Sequence, residues 1–295
     1  MSPRAPRRGR PRLVTLTSDV GWAYAAQMRA VLLHTLPPSH VVELTHDLPA
    51  HAIGEAAWVL RSVAERFPAG TVHLVVVDPG VGGRRAPVAV RCGDGSLLVG
   101  PDNGVLAPLA RALGDPRAYR IEPERVGVGS RVGTTFDGRD LFAPAAARLA
   151  FGTPPERLGP LHPLRDLVLP TARRRGADMT GEVVHVDRFG NLITNIPTDW
   201  VAPAPTEVTV RLGSGAPRRV PWSSSYEAIG RGRLGALGSS FGTVEVAVAE
   251  GRADRRCRAR AGTPVHVTRR ARADARATET VNSGRILRAR GRPPS

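Results

Sequence analysis

Asp78 is delivered by an apolar run, Val72-His73-Leu74-Val75-Val76-Val77, into a Gly/Pro turn that ends on Arg84 and Arg85. So continuous a run reads as a strand covered on both faces, the habit of parallel sheets. In open α/β sheets ligands bind outside the carboxyl ends of such strands, which puts the Asp78 carboxylate where chemistry takes place. The same aspartate could equally cap its own turn, and this segment alone leaves both roles open. Other runs end the same way. Leu13-Val14-Thr15-Leu16-Thr17 leads into Ser18-Asp19-Val20-Gly21, and Val41-Val42-Glu43-Leu44-Thr45 leads into His46-Asp47. Leu97-Leu98-Val99 leads into Gly100-Pro101-Asp102-Asn103-Gly104. Polar groups at four strand ends in one layer favour a site over independent turns.

Helical patterns separate these runs. Residues 25–36 place Met28, Val31, Leu32 and Leu36 on one face, and residues 53–67 do the same with Ala56, Ala57, Leu60, Val63 and Ala64. The order strand–helix–strand–helix–strand predicts right-handed crossovers and an α/β domain of parallel-sheet type. Further helices are expected over 105–113 and 143–150. Residues 152–176 are rich in proline and glycine and carry Arg173-Arg174-Arg175, which points to a linker over 166–180. Beyond it, short alternating strands at 181–186, 206–212, 243–249 and 263–267 predict a small all-β barrel domain. The expected division is a disordered basic tail (1–12), the α/β domain (13–165), the linker, the barrel (181–268) and a second disordered basic tail (269–295).

The chain has 295 residues, enough for one large or two modest domains. All 42 basic residues are arginine, as in the products of GC-rich genomes, so the net charge of +16 needs discounting before nucleic acid is invoked. The two tails hold eleven of those sixteen units. The body has no basic stripe interleaved with aromatic residues, so no specific nucleic-acid partner is expected. Cys92 and Cys257 lack ligand spacing, and neither a zinc site nor a disulfide is implied. Residues 13–17 are too short for a signal-peptide core and no run of eighteen apolar residues follows, so a soluble cytoplasmic protein without a membrane partner is expected.

Six segments carry more specific information: TSDVG (17–21), ELTHDLP (43–49), VVDPGVGGRR (76–85), GPDNG (100–104), TFDGRDLFAPAAARLA (135–150) and DRFGNLITNI (187–196). In order and spacing they resemble the SAM hydrolases (SAM hydroxide adenosyltransferases) and their relatives, the SAM-dependent chlorinases and fluorinases, over roughly residues 13–268. The resemblance implies an N-terminal α/β domain, a C-terminal β-barrel and a homotrimer with sites between one subunit's N-terminal domain and the next subunit's C-terminal domain. It implies displacement at the 5′ carbon of S-adenosylmethionine by water or halide, with methionine leaving and SAM as substrate; no cofactor is implied. Asp19 would accept the ribose hydroxyls. Asp187 and Ser240 would hold the methionine end. Asn191 would read adenine, Phe189 would stack on it and Tyr226 would be a second aromatic wall. Taken singly, Phe189 could be a core residue and Asn191 a turn residue.

The family's water-activating set is an Asp–Arg–His trio. Asp78 and Arg85 match its first two members, while the histidine position is Asp137. The substitution leaves two carboxylates beside one guanidinium and removes the imidazole. It also disfavours a halogenase, because a halide about 4 Å from an unpaired carboxylate is repelled by roughly 1–4 kcal/mol. Hydrolysis of SAM to adenosine and L-methionine is the expected activity. A non-catalytic SAM- or adenosine-binding protein of the same fold is the alternative. The first loop, Ser18 to Tyr24, is about two residues shorter than the family's and lacks its second carboxylate, which bears on contacts to the methionine end.

Overall fold

The computed structural model describes residues 11–127 and 135–269, in two sheets. Most of both expected tails lies outside the described residues. Arg12 and Arg269 do not. The Arg12 guanidinium donates to the carbonyls of Gly70 (3.1 Å) and Gly95 (2.7 Å), and the Arg269 backbone N–H donates to Ala177 (2.9 Å), so each belongs to a domain and not to a tail.

The N-terminal sheet contains β1 (Val14–Ser18), β2 (Val41–Thr45), β3 (Val72–Val76), β4 (Pro87–Arg91), β5 (Leu97–Pro101), β6 (Arg117–Arg120) and β7 (Leu161–His162), in the order β2-β1-β3-β5-β4-β6-β7. The four strands β2, β1, β3 and β5 are parallel. The expected parallel sheet is extended by β4, β6 and β7, which pair antiparallel, so the sheet is mixed. Of these pairs only β4 and β5 are joined directly as a hairpin, a connection that needs no crossover helix and that helical patterning does not announce.

Helices cover both faces, as the doubly apolar strands require. Alternate residues of β3 separate into two cores. Val72, Leu74 and Val76 pack with Met28 and Leu32 of α1 (Trp22–Leu33) and with Leu149 of the later helix spanning Ala143–Ala150. On the other face Val75 and Val77 pack with Leu60 of α2 (Ile53–Ala64) and Leu109 of α3 (Ala107–Ala112). A short α4 (Pro123–Val126) precedes the Ala143–Ala150 helix, which is α5.

His73 sits in this sheet at 1% exposure, held by Thr15 Oγ1 at 2.8 Å. Burial lowers its pKa to about 4, against a small opposing pull from Asp94. The unfolded chain takes up this proton near 6.5, so the stability due to neutral His73 is complete above that pH. It is lost progressively as pH falls toward 4, by about 3 kcal/mol in all. Thermal melts across that window should show the decline, and His73→Gln should flatten it.

The second sheet contains β8 (Arg173–Arg175), β9 (Asp178–Val186), β10 (Leu192–Pro197), β11 (Glu207–Leu212), β12 (Arg218–Pro221), β13 (Leu234–Gly238), β14 (Thr243–Val248) and β15 (Pro264–Arg269). Its order is β12-β11-β15-β9-β10-β14-β13, antiparallel throughout, with β8 beside β9. A bridge from Trp222 to Ala236 links the β12 side to β13, so the sheet nearly closes on itself. The segment expected as a linker, 166–180, contains β8 and the start of β9. Three exposed arginines on an edge strand give no apolar alternation to read. The two domains touch where the end of β9 meets α2: His185 Nδ1 lies 2.6 Å from Glu55 Oε1. Among the described residues no helix is long and apolar enough to cross a membrane.

Candidate active site

The register of β1 on β3 pairs Ser18 with Val76, so Asp19 and Asp78 leave neighbouring parallel strands at the same end of the sheet. Asn103, in the turn after β5, donates from Nδ2 to the Val77 carbonyl at 2.8 Å and ties down the turn that Asp78 enters. Two tight turns follow, closed by Val81 N–H to Asp78 (3.2 Å) and Gly83 N–H to Gly80 (2.9 Å). They fold the chain back on itself. Arg85 therefore meets Asp78, with Nε 3.0 and 2.9 Å from its two carboxylate oxygens and Nη2 2.5 Å from Oδ2.

The same Nη2 is 2.5 Å from Oδ2 of Asp137. Asp137 precedes a wide turn, Gly138–Phe142, that leads into α5 with π-type spacing, a local widening found often at functional sites. Gly138 permits the approach: a Cβ there would lie 2.8 Å from Met28 Sδ and 3.1 Å from Val76 Cγ1. The three side chains are almost fully enclosed, Arg85 at 10%, Asp78 at 5% and Asp137 at 3% exposure. Burial by itself would lower the Arg85 pKa, but hydrogen bonds and charge from Asp78 and Asp137 outweigh it and the pKa is raised. The guanidinium is a permanent cation clamped between two carboxylates.

A pocket of about 450 Å³ opens over this clamp, lined by Asp19, Tyr24, His51, Asp78, Phe136 and Asp137 among others. Asp19 Oδ2 accepts the backbone N–H of His51 at 2.8 Å, and His51 adopts a left-handed φ of 66° to present it. Strained backbone of this kind, costing of order 1–3 kcal/mol, collects at binding sites. The sequence pattern did not single out His51; only its place just beyond the β2 turn could have drawn notice. His46 works differently. Its Nδ1 is 2.7 Å from the buried Ser18 Oγ and its carbonyl accepts from Gly21, so it braces the Asp19 loop. Desolvation lowers its pKa despite nearby Glu43 and Asp47. Asp102 is committed to structure, accepting from the Arg165 N–H at 2.7 Å and lying 2.9 Å from His162 Nε2.

The C-terminal candidates form a separate group. Asp187 closes the β9–β10 turn on itself: Oδ1 accepts from the N–H groups of Phe189 and Asn191, and Oδ2 from Asn191 Nδ2, each at 2.9 Å. That lock lifts Phe189 into solvent at 61% exposure, with the Arg188 guanidinium 5.1 Å from its ring centre. Tyr226, 46% exposed at the start of α6 (Tyr226–Ile229), donates its hydroxyl at 2.7 Å to Glu245. Burial first, then Glu245, raises the Tyr226 pKa. Glu245 is 3% exposed; burial chiefly, with Asp187 nearby, raises its pKa although the Tyr226 hydroxyl pulls the other way. Its alternation within an apolar strand was the only clue to so unusual a carboxylate. Ser240 is exposed in the turn before β14. Within one chain none of Asp187, Phe189, Asn191, Tyr226 or Ser240 lines the pocket over Asp78.

A mixed sheet with carboxylates at its strand ends, joined to a nearly closed antiparallel sheet, defines a two-domain architecture with a buried Asp–Arg–Asp clamp. Comparison with known families gives the particular lineage. Residues 14–159 match the SAM hydroxide adenosyltransferase N-terminal domain and residues 181–266 its C-terminal domain. The chain is 40% identical over 266 residues to an (R)-S-adenosyl-L-methionine hydrolase of Thermus thermophilus, covering 87% of this chain and 99% of that protein. It is 39% identical over 245 residues to an enzyme of the same name from Salinispora tropica, covering 81% and 91%. The crystal structure of an uncharacterized conserved protein from Thermotoga maritima superposes with a TM-score of 0.79 at 30% identity, covering 87% of this chain and all of that one. This chain belongs to the SAM hydroxide adenosyltransferase family.

Proposed function

We propose that the protein hydrolyses S-adenosyl-L-methionine to adenosine and L-methionine. The observation that carries this is the Asp78–Arg85–Asp137 clamp at the floor of a pocket whose rim holds Asp19. In the proposed reaction a water on Asp78 attacks the ribose 5′ carbon opposite sulfur. The new C–O bond forms as the C–S bond breaks, methionine leaves as a neutral thioether, and the water's proton passes to a carboxylate. Arg85 holds both carboxylates in place, and Asp19 takes the ribose hydroxyls. The second carboxylate suits water and repels a halide.

Asp187, Phe189, Asn191, Tyr226 and Ser240 would complete the site from the next subunit of a homotrimer. Two facts support that arrangement: these residues stand outside the pocket of their own chain, and Phe189 and Tyr226 present exposed rings. A cytoplasmic location, the compartment where SAM is made, accords with this role. Incubation with SAM, followed by chromatography for adenosine and methionine, tests the activity. Formation of neither product at enzyme concentrations near that of substrate refutes it, whereas a sedimentation mass of one chain with full SAM binding refutes the shared site.

Asp137 offers a sharper test. Asp137→His restores an imidazole at the position where the family carries one, and is expected to preserve or raise turnover while adding a titration near ~6.5 to the rate profile. Asp137→Ala should make chloride a better inhibitor, since one repelling carboxylate is gone. If the histidine variant is dead and the alanine variant matches the parent in rate and chloride response, Asp137 does not face the nucleophile.

A further inference from the structure

A second cleft, of about 540 Å³, opens between the two domains and shares no lining residue with the pocket over Asp78. Cavities of this size at domain interfaces are usual places for small ligands. One wall is the stripe Trp58, Arg61 and Glu65, on α2 and its C-cap, at helical spacing. The barrel supplies the other wall through Trp200 and Phe241. Two of the chain's four tryptophans therefore line one cleft, in a protein with only 4% aromatic residues, and both are half-buried. Trp58 and Phe241 meet edge to face, with ring centres 5.0 Å apart. Trp200 lies in the short turn Thr198–Val201, which is tied to the chain just after Phe241 by the bond from Thr198 N–H to the Gly242 carbonyl, 2.9 Å.

The charges at the mouth are only loosely committed. Arg61 pairs with Glu65 at 3.0 Å, but both are about half exposed, and such pairs contribute little. Arg66, also lining the cleft, is exposed and has no acidic partner among the described residues. The lining is thus positive by one unit, Glu65 included. Indole faces bind flat rings, and guanidinium groups bind phosphate through paired N–H donors. We propose that this cleft is a second ligand site, taking a planar aromatic ring that carries a phosphate, with the ring against Trp58 and Trp200 and the phosphate on Arg61 and Arg66.

The test uses the full chain with ¹⁵N-labelled tryptophan, its indole N–H resonances assigned by single Trp→Phe variants, and adenosine monophosphate as probe. The expected result is saturable movement of the Trp58 and Trp200 signals while Trp222 stays still. Arg66→Ser, alone and with Arg61→Ser, should weaken that response, the pair by at least about tenfold, the scale of one lost charge-assisted contact. Adenosine should act on these two signals at least about tenfold more weakly, for the same reason. Unchanged Trp22 and Trp222 resonances in the arginine variants show that the fold is kept. The proposal is overturned if Trp58 and Trp200 do not respond up to about 10 mM probe, well above the range of a specific site. It is overturned too if only Trp22, in the loop by the other pocket, responds, if the arginine variants bind like the parent, or if inorganic phosphate alone reproduces the effect.

Discussion

Asp78→Asn is expected to lower kcat for SAM hydrolysis by about 10²–10⁴, the usual consequence of losing a general base. The amide has the carboxylate's shape and can still accept from Arg85 through one oxygen, so the fold and the affinity for SAM should survive. What is lost is the negative charge that polarises the attacking water. The Km should therefore move far less than kcat, which marks an interaction made mainly in the transition state. Steady-state kinetics beside a thermal melt separate this from damage to the fold. A variant as fast as the parent would remove Asp78 from the mechanism.

Arg85→Met should have the largest effect on stability. The change keeps much of the side-chain volume but removes the cation that bridges Asp78 and Asp137, each almost fully enclosed. Removing one partner of a buried ion pair costs about 3–5 kcal/mol, because the charge left behind loses that partner without regaining water. Denaturant melts should show a loss of that size. The double variant Arg85→Met/Asp137→Asn should recover part of it by removing the repulsion, and such non-additivity is the signature of a shared network. If the double variant is as unstable as the sum of the singles, the clamp is not an energetic unit.

The parts of the fold most legible from the sequence were those whose burial is symmetric. Val72–Val76 is apolar at nearly every position because both faces are covered, and the run cannot be mistaken for a solvated strand. The neighbouring runs that became β1 and β5 read the same way, as did α2 with its strong apolar face. By contrast β6 (Arg117–Arg120) has a single buried residue, and β8 has none. Their pairing comes from backbone hydrogen bonds, β6 to β4 and β7, and β8 to β9, which side-chain pattern does not record. Helix α1 begins at Trp22, earlier than its apolar stripe suggests, because Gly21 at φ 73° turns the chain sharply into it.

For the site the division is similar. Local sequence was enough to place carboxylates at the carboxyl ends of parallel strands, since strand burial and a following polar turn are both short-range properties. Family motifs then picked out Asp78, Arg85 and Asp137. That one Arg85 nitrogen reaches both carboxylates was fixed by the packed chain, because the contact to Asp137 joins residues 52 positions apart through a folded-back turn and a wide helical turn opened by Gly138. The packed chain likewise decided that the His51 backbone N–H, presented from a left-handed conformation, meets the Asp19 carboxylate 32 positions away. And it set the Asp187–Asn191 turn outside the pocket of its own chain: whether two domains converge on one site depends on how they pack, and short-range pattern carries no record of that.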